Sequence, residues 1–230
     1  GSRRGVGAGT LCGPAEDEMR GLRGVRGKFG GDKLTLAAAD NDRIAVKTIT
    51  VLDPVEETSV VVPARSLQEL SRILSDTSDP VDIVLSHSRN QILFHIEGID
   101  LISRLIDGQF PNYQQVLPKG FTTKAIVDRE QLLKAVRLAS LIVFSSANIV
   151  KLQVGKEAEM GLQVSAAADI GDNKSEVEAT VEGDGTTIAF NARYLIDVLT
   201  NVDSDQFSIE LNGPLSPGVF RPVGAGECVA

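Results

Sequence analysis

The chain has no tryptophan and its aromatic content is only 4%, which argues against platforms that stack single-stranded bases. Its two cysteines, Cys12 and Cys228, stand near opposite ends, and its two histidines, His87 and His95, lie eight apart with no cysteine or carboxylate cluster at ligand spacing. Neither a disulfide framework nor a zinc centre is indicated, and both histidines read as ordinary strand residues. No window approaches the ~18 uninterrupted apolar residues of a membrane span, and the glycine-rich start has no secretory h-region; the expected setting is the cytoplasm. Cations are in deficit, 23 Lys and Arg against 31 Asp and Glu for a net charge of −8. That balance excludes a uniformly basic nucleic-acid coat while leaving local basic faces open. The sequence holds no G-x-S-x-G elbow, Walker loop or G-x-G-x-x-G, and Gly30-Gly31 precedes a strand instead of a helix, so nucleotide binding and catalysis have no motif to stand on. Asp40, Asp42 and Asp53 imitate a Mg²⁺ site only loosely, because carboxylates at strand ends are usually solvated. No metal, cofactor or catalytic residue is expected.

What is present is ordinary globular material: 230 residues, 42% hydrophobic, enough for one or two compact domains. Residues 1 to 14 follow neither period and read as disordered or non-native. Strands are expected at 33–39, 43–49 and, as a separate β-branched piece, 58–63. Leu67, Leu70, Ile73 and Leu74 line one face of a helix over 64–76,. Strands at 81–86, 91–96 and 100–106 make an antiparallel set. Residues 107–120 carry two Pro and two Gly and read as an extended connector packed by Phe110, Tyr113 and Val116, with the domain boundary near Gly120. Beyond it come a strand at 122–127, a helix over 129–144 capped by Asp128 with Gln131 at capping-box spacing, and strands at 149–154, 160–167, 174–181 and 186–190; 226–230 is a last strand candidate.

An internal repeat organises this order. KLTLAAAD (33 to 40) resembles GLQVSAAAD (161 to 169), with Leu34 and Leu162 offset by 128, and Ala64, Arg65 and Leu67 are answered by Ala192, Arg193 and Leu195 at the same offset. One offset for two separated matches indicates a duplicated domain. The first copy lacks a counterpart of the strand and helix that open the second, and both ends read as incomplete. The fold class is α+β, tandem domains of antiparallel sheet with helices on one face. Arg65 and Arg72 are two helical turns apart, Lys134 and Arg137 are three apart, and Arg193 repeats Arg65. Cations gathered on solvated helix faces of an acidic protein form a local track that can hold phosphates without reading bases.

The stretches KLTLAAADNDRIAV (33 to 46), VVVPARSLQELSRIL (60 to 74), LISRLIDGQFPNYQQVLP (101 to 118) and IAFNARYLIDVL (188 to 199) resemble the β-subunit family of bacterial DNA polymerase III, the replicative sliding clamps. The Asp-Gly-x-Phe-Pro-x-Tyr connector, Asp107 to Tyr113, is the most specific of these matches. The resemblance implies the clamp fold, a head-to-tail homodimeric ring with three domains per protomer, helices lining the pore and duplex DNA threaded through it. It implies a non-catalytic subunit that tethers the DNA polymerase III catalytic subunit and also serves the clamp loader and repair proteins. On that reading residues 15–120 are the middle domain, incomplete at its start, and 121–230 the C-terminal domain with its last strand cut short. The DNA-facing residues are Arg65, Arg72, Lys134, Arg137 and Arg193.

The family also receives short partner peptides in a hydrophobic groove. Carried over by motif position, that groove involves Leu22, Ala39, Asn41, Asp42, Arg43, Ile44, Pro111, Val116, Asn191, Tyr194, Leu215 and Pro217. Ile44, Val116 and Leu215 would bury a Leu or Phe anchor, and Asn191 would orient the peptide; Asn191 is equally a good N-cap, and Ile44 and Val116 equally plain core. The chain departs from the family at Asn41-Asp42, where Gly-His or a similar pair is usual, and at Arg20-Gly21-Leu22, where Arg-Pro-x-Leu is shortened. It also lacks the Met-Pro-Met tail. Weakened peptide affinity is the expectation, and a degenerate clamp-like module that binds partners without encircling DNA is the alternative.

Overall fold

The computed structural model describes residues 5–6, 24–74, 80–143, 148–168, 171–224 and 228–229. Contacts divide the chain into two compact units between Tyr113 and Gln114, ahead of the Gly120 boundary read from the sequence. Among the described residues no helix is long and apolar enough to cross a membrane.

The first unit is built on a long hairpin, β2 (Gly24–Ala39) and β3 (Ile44–Pro63), followed by α1 (Ala64–Leu74) and the meander β4 (Val81–Leu85), β5 (Gln91–Ile96) and β6 (Ile99–Arg104). The separate strand expected at 58–63 is the far end of β3. Asp53-Pro54 does not end the strand because it falls where the register shifts: Lys33 pairs with Thr50 and Gly31 with Val55. A proline placed in such a gap removes no ladder hydrogen bond. Of residues 1–14, Gly5–Val6 forms β1, inserted antiparallel between β3 and β4 with Val6 opposite Val51 and Val81. The expectation of disorder therefore fails for that pair, whose backbone satisfies two otherwise open strand edges; the others lie outside the described residues, as does Cys12. The sheet runs β14-β3-β1-β4-β5-β6, with β2 on β3 and β14 being Cys228–Val229. Helix α1 buries Ala64, Leu67 and Leu70 into a core with Val51, Val60, Val62, Ile83, Ile92, Phe94 and Ile96.

The second unit runs β7 (Thr123–Asp128), α2 (Arg129–Val143), β8 (Ile149–Val154), β9 (Gly161–Ala168), β10 (Gly171–Gly183), β11 (Thr186–Asn191), α3 (Ala192–Asn201), β12 (Gln206–Leu211) and β13 (Val219–Pro222). Its sheet order is β11-β8-β9-β10-β7-β12-β13. Asp128 caps α2, its Oδ1 accepting the Gln131 amide at 2.9 Å, as the spacing predicts. Leu132, Val136, Ala139 and Val143 recur at spacings of four, three and four and are all buried. They meet Val150, Leu152, Leu162 and Val164, which are fully buried too. The sequence reading assigns no strand to 206–211 or 219–222. Phe207, Ile209 and Leu211 do alternate, but Ser208 between them is buried as well, and the Gly and Pro residues around 213–222 conceal the period of β13.

The repeat is visible in the strand pairing itself. A shift of 128 carries the pairs Ala39 with Ile44 and Lys33 with Thr50 onto Ala167 with Asp172 and Gly161 with Glu178. The same shift carries Val51, the partner of Val6, onto Ala179, the partner of Val127. Register is hard to reproduce by chance, since a slip of one residue turns every side chain to the other face. In the first sheet β1 stands where β7 stands in the second.

Candidate functional site

Within the first unit the hairpin tip places Ala39 opposite Ile44 and turns through Asn41, Asp42 and Arg43. Asp40 closes that turn. Its Oδ1 accepts the amides of Asp42 and Arg43, each at 2.9 Å, and its Oδ2 accepts the Arg43 Nε at 2.9 Å. Partial burial by itself would raise the Asp40 pKa, but the two amides and the Arg43 guanidinium outweigh it and hold the carboxyl below its ordinary value,. An aspartate that caps its own turn and pairs three residues on has its oxygens committed locally, so Asp40 acts here as a scaffold for the tip. The pattern Asp-x-x-Arg after a strand was the available signal. Among the described residues no group of three His, Cys, Asp or Glu is placed to hold a metal.

Asp40→Asn keeps an acceptor for the amides but loses the charged bond to Arg43, and should cost about 1–2 kcal/mol at neutral pH. Because the folded pKa is lowered, the stability Asp40 contributes is full above its unfolded pKa and is lost as pH falls through the folded value. The difference in denaturation midpoint between wild type and variant should therefore shrink on acidification.

Pro111 is exposed on the connector, next to Phe110, whose ring meets that of the buried Tyr113 edge-on at 6.3 Å. Tyr113–Gln115 forms a single 3₁₀ turn where an extended connector is expected. Val116 was expected to pack; it is 55% exposed, since the 3₁₀ turn spends its inward position on Tyr113.

In the second unit Asn191 is the N-cap of α3, its Oδ1 accepting the Arg193 amide at 3.0 Å, and Tyr194 lies half-buried in the first turn. Leu215 and Pro217 sit on the loop between β12 and β13, with Leu215 98% exposed. That loop is held near the start of α3 by Gly218: a Cβ there would meet the Phe190 ring at 2.5 Å, and Phe190 packs edge-on against Phe220 at 5.4 Å. Gly218→Val should cost about 1–3 kcal/mol through overpacking, read as a lowered denaturation midpoint. Sequence reasoning did not single out Gly218, whose role depends on a contact nearly thirty residues away. Leu22 lies outside the described residues.

The cations distribute as helix-face residues. Arg65 and Arg72 are exposed on α1, opposite the buried Leu67, with Arg72 Nη1 3.1 Å from Glu69. Lys134 and Arg137 are exposed on α2 and Arg193 on α3. Helices α2 and α3 pack on one another, joined where Arg129 Nη1 donates to the Leu199 carbonyl at 3.2 Å, a cation at a helix C-terminus. His95 is a strand residue, its Nδ1 2.6 Å from Asp100 Oδ1 across β5 and β6. His87 is not: it lies in the turn of residues 86–90, closed by Ser86 Oγ accepting the amides of Asn90 and Gln91.

Two family models match in succession, the DNA polymerase III beta subunit central domain over residues 10–112 and its C-terminal domain over 114–230. The chain belongs to the DNA polymerase III beta-subunit family. Its sheets and helices are those of the clamp fold. The curated "Beta sliding clamp" of Staphylococcus aureus is 32% identical over 206 residues, 88% of this chain and 53% of the relative. The Bacillus subtilis sliding clamp structure is 29% identical with a TM-score of 0.84, covering 96% of this chain and 58% of that one. A Pseudomonas aeruginosa sliding clamp bound to griselimycin is 26% identical with a TM-score of 0.82, covering 90% and 55%. The chain thus spans little more than half the length of these beta-subunit relatives.

Proposed function

We propose that this chain acts as part of a sliding clamp, a non-catalytic subunit that holds the replicative polymerase to duplex DNA. The observation that carries the reading is that its two units match consecutive domains of one family in the family's order. The physical supports are independent of that match. In a protein of net charge −8, Arg65, Arg72, Lys134, Arg137 and Arg193 stand on solvent faces of helices, where they can contact phosphates with no sequence preference. Such contacts can be weak and mobile, since retention on DNA comes from linkage, which keeps the effective concentration high.

Partner-peptide contacts, as the family resemblance implies them, would fall on Ala39, Asn41, Asp42, Arg43, Ile44 and Pro111 in the first unit and on Val116, Asn191, Tyr194, Leu215 and Pro217 in the second; Leu22 lies outside the described residues. The exposed Leu215 and Val116 are apolar surface that a Leu or Phe anchor could cover. Asp42 puts a negative charge on the hairpin tip and should disfavour acidic peptides. Calorimetric titration with a pentapeptide carrying Leu and Phe anchors should give saturable one-to-one binding, tighter for a basic flank than for an acidic one. Absence of saturation for both would overturn the groove.

A further inference from the structure

A cavity of about 420 Å³ opens in the first unit, between the outer end of the β2–β3 hairpin, the turn joining β4 to β5 and the chain leaving β6. It includes none of the residues proposed above for DNA or peptide. Two of its wall residues are arginines, Arg26 and Arg89, set against one carboxylate, Asp107. Arg26 runs along the wall, its Nε donating to Ser59 Oγ at 2.9 Å, which leaves its terminal nitrogens with no protein acceptor among the described residues. Arg89 has no carboxylate partner there either. It is held with φ 51°, a conformation that costs free energy for a residue with a Cβ, in the turn that Ser86 closes. Phe110 is also among the lining residues.

We propose that this cavity binds a phosphate monoester, a second ligand site beyond the clamp reading and independent of it. Among the described residues neither guanidinium has an acidic partner, and the fork geometry of the two arginines matches the oxygens of a phosphate. The volume is that of a small-molecule site and exceeds what a bare ion fills, and Phe110 offers an apolar surface to the organic body of the ligand. Asp107 opposes the anion and sets the affinity below what the arginines alone would give.

The test is titration of the full chain with adenosine 5′-monophosphate, inorganic phosphate, adenosine, and one oligonucleotide with either a 5′-phosphate or a 5′-hydroxyl. Adenosine 5′-monophosphate should bind saturably and at least about tenfold more tightly than adenosine. Arg89→Gln, in an exposed turn, should weaken it about fivefold or more with circular dichroism unchanged, Arg26→Gln should do likewise, and Asp107→Asn should tighten it. Preference for the 5′-phosphorylated oligonucleotide over the free nucleotide would place the phosphate at a strand end; the reverse would place it on a small molecule; either supports the site. Equal binding of adenosine and its monophosphate, or affinity indifferent to both arginine substitutions, would overturn it.

Discussion

Reversing Lys134, Arg137 and Arg193 to glutamate together should abolish measurable association of the chain with a fluorescent duplex at low salt, a loss of about a hundredfold or more. All three are exposed on α2 and α3, so no buried contact is broken, and the denaturation midpoint should move little. The loss has two parts: three phosphate contacts and their released counterions disappear, and six units of negative charge are added to a chain already at −8,. For wild type, log affinity should fall linearly with log salt and be indifferent to duplex sequence. The triple variant should bind no better at 50 mM than wild type does at high salt. If it binds as wild type does, these helices do not face DNA.

The second large effect is at the β12–β13 loop. Leu215→Asp places a charge on the most exposed large apolar side chain among the described residues, and should weaken an anchor-bearing pentapeptide by about tenfold or more while leaving folding intact. An exposed position has no core to disrupt, whereas an interface centre that must desolvate a carboxylate loses several kcal/mol. A Leu215→Met control, similar in volume and hydrophobicity, should retain most of the affinity. Calorimetry on the three proteins reads the result directly, and unchanged affinity in Leu215→Asp would remove the loop from the groove.

The repeat was the most legible part of the fold, because it rests on residues whose burial the strand period dictates. Leu34 and Leu162, and Leu67 and Leu195, are buried in both units, so each position carries the same apolar constraint. Helix α2 was legible for the same reason, with a cap and a sustained period. Illegible were features set by distant partners. Pro54 reads as a strand breaker until the register gap opposite it is known, and β1 depends on β3 and β4 instead of on its own two residues. Val116 reads as a packing residue because it is apolar, yet the neighbouring Tyr113 occupies the inward position. At the candidate site, Asn191 was legible as a cap, and Asp40 carried a readable turn signal. Gly218 could not be singled out, since the Phe190 ring that excludes a side chain there belongs to another strand.

The most direct test is to record backbone amide shifts while a short duplex is added at low salt. Progressive changes clustered at Arg65, Arg72, Lys134, Arg137 and Arg193 are expected, reversed by added salt and alike for unrelated sequences. Changes confined to strand lysines such as Lys47, Lys151 and Lys174, with the helices silent, would contradict it.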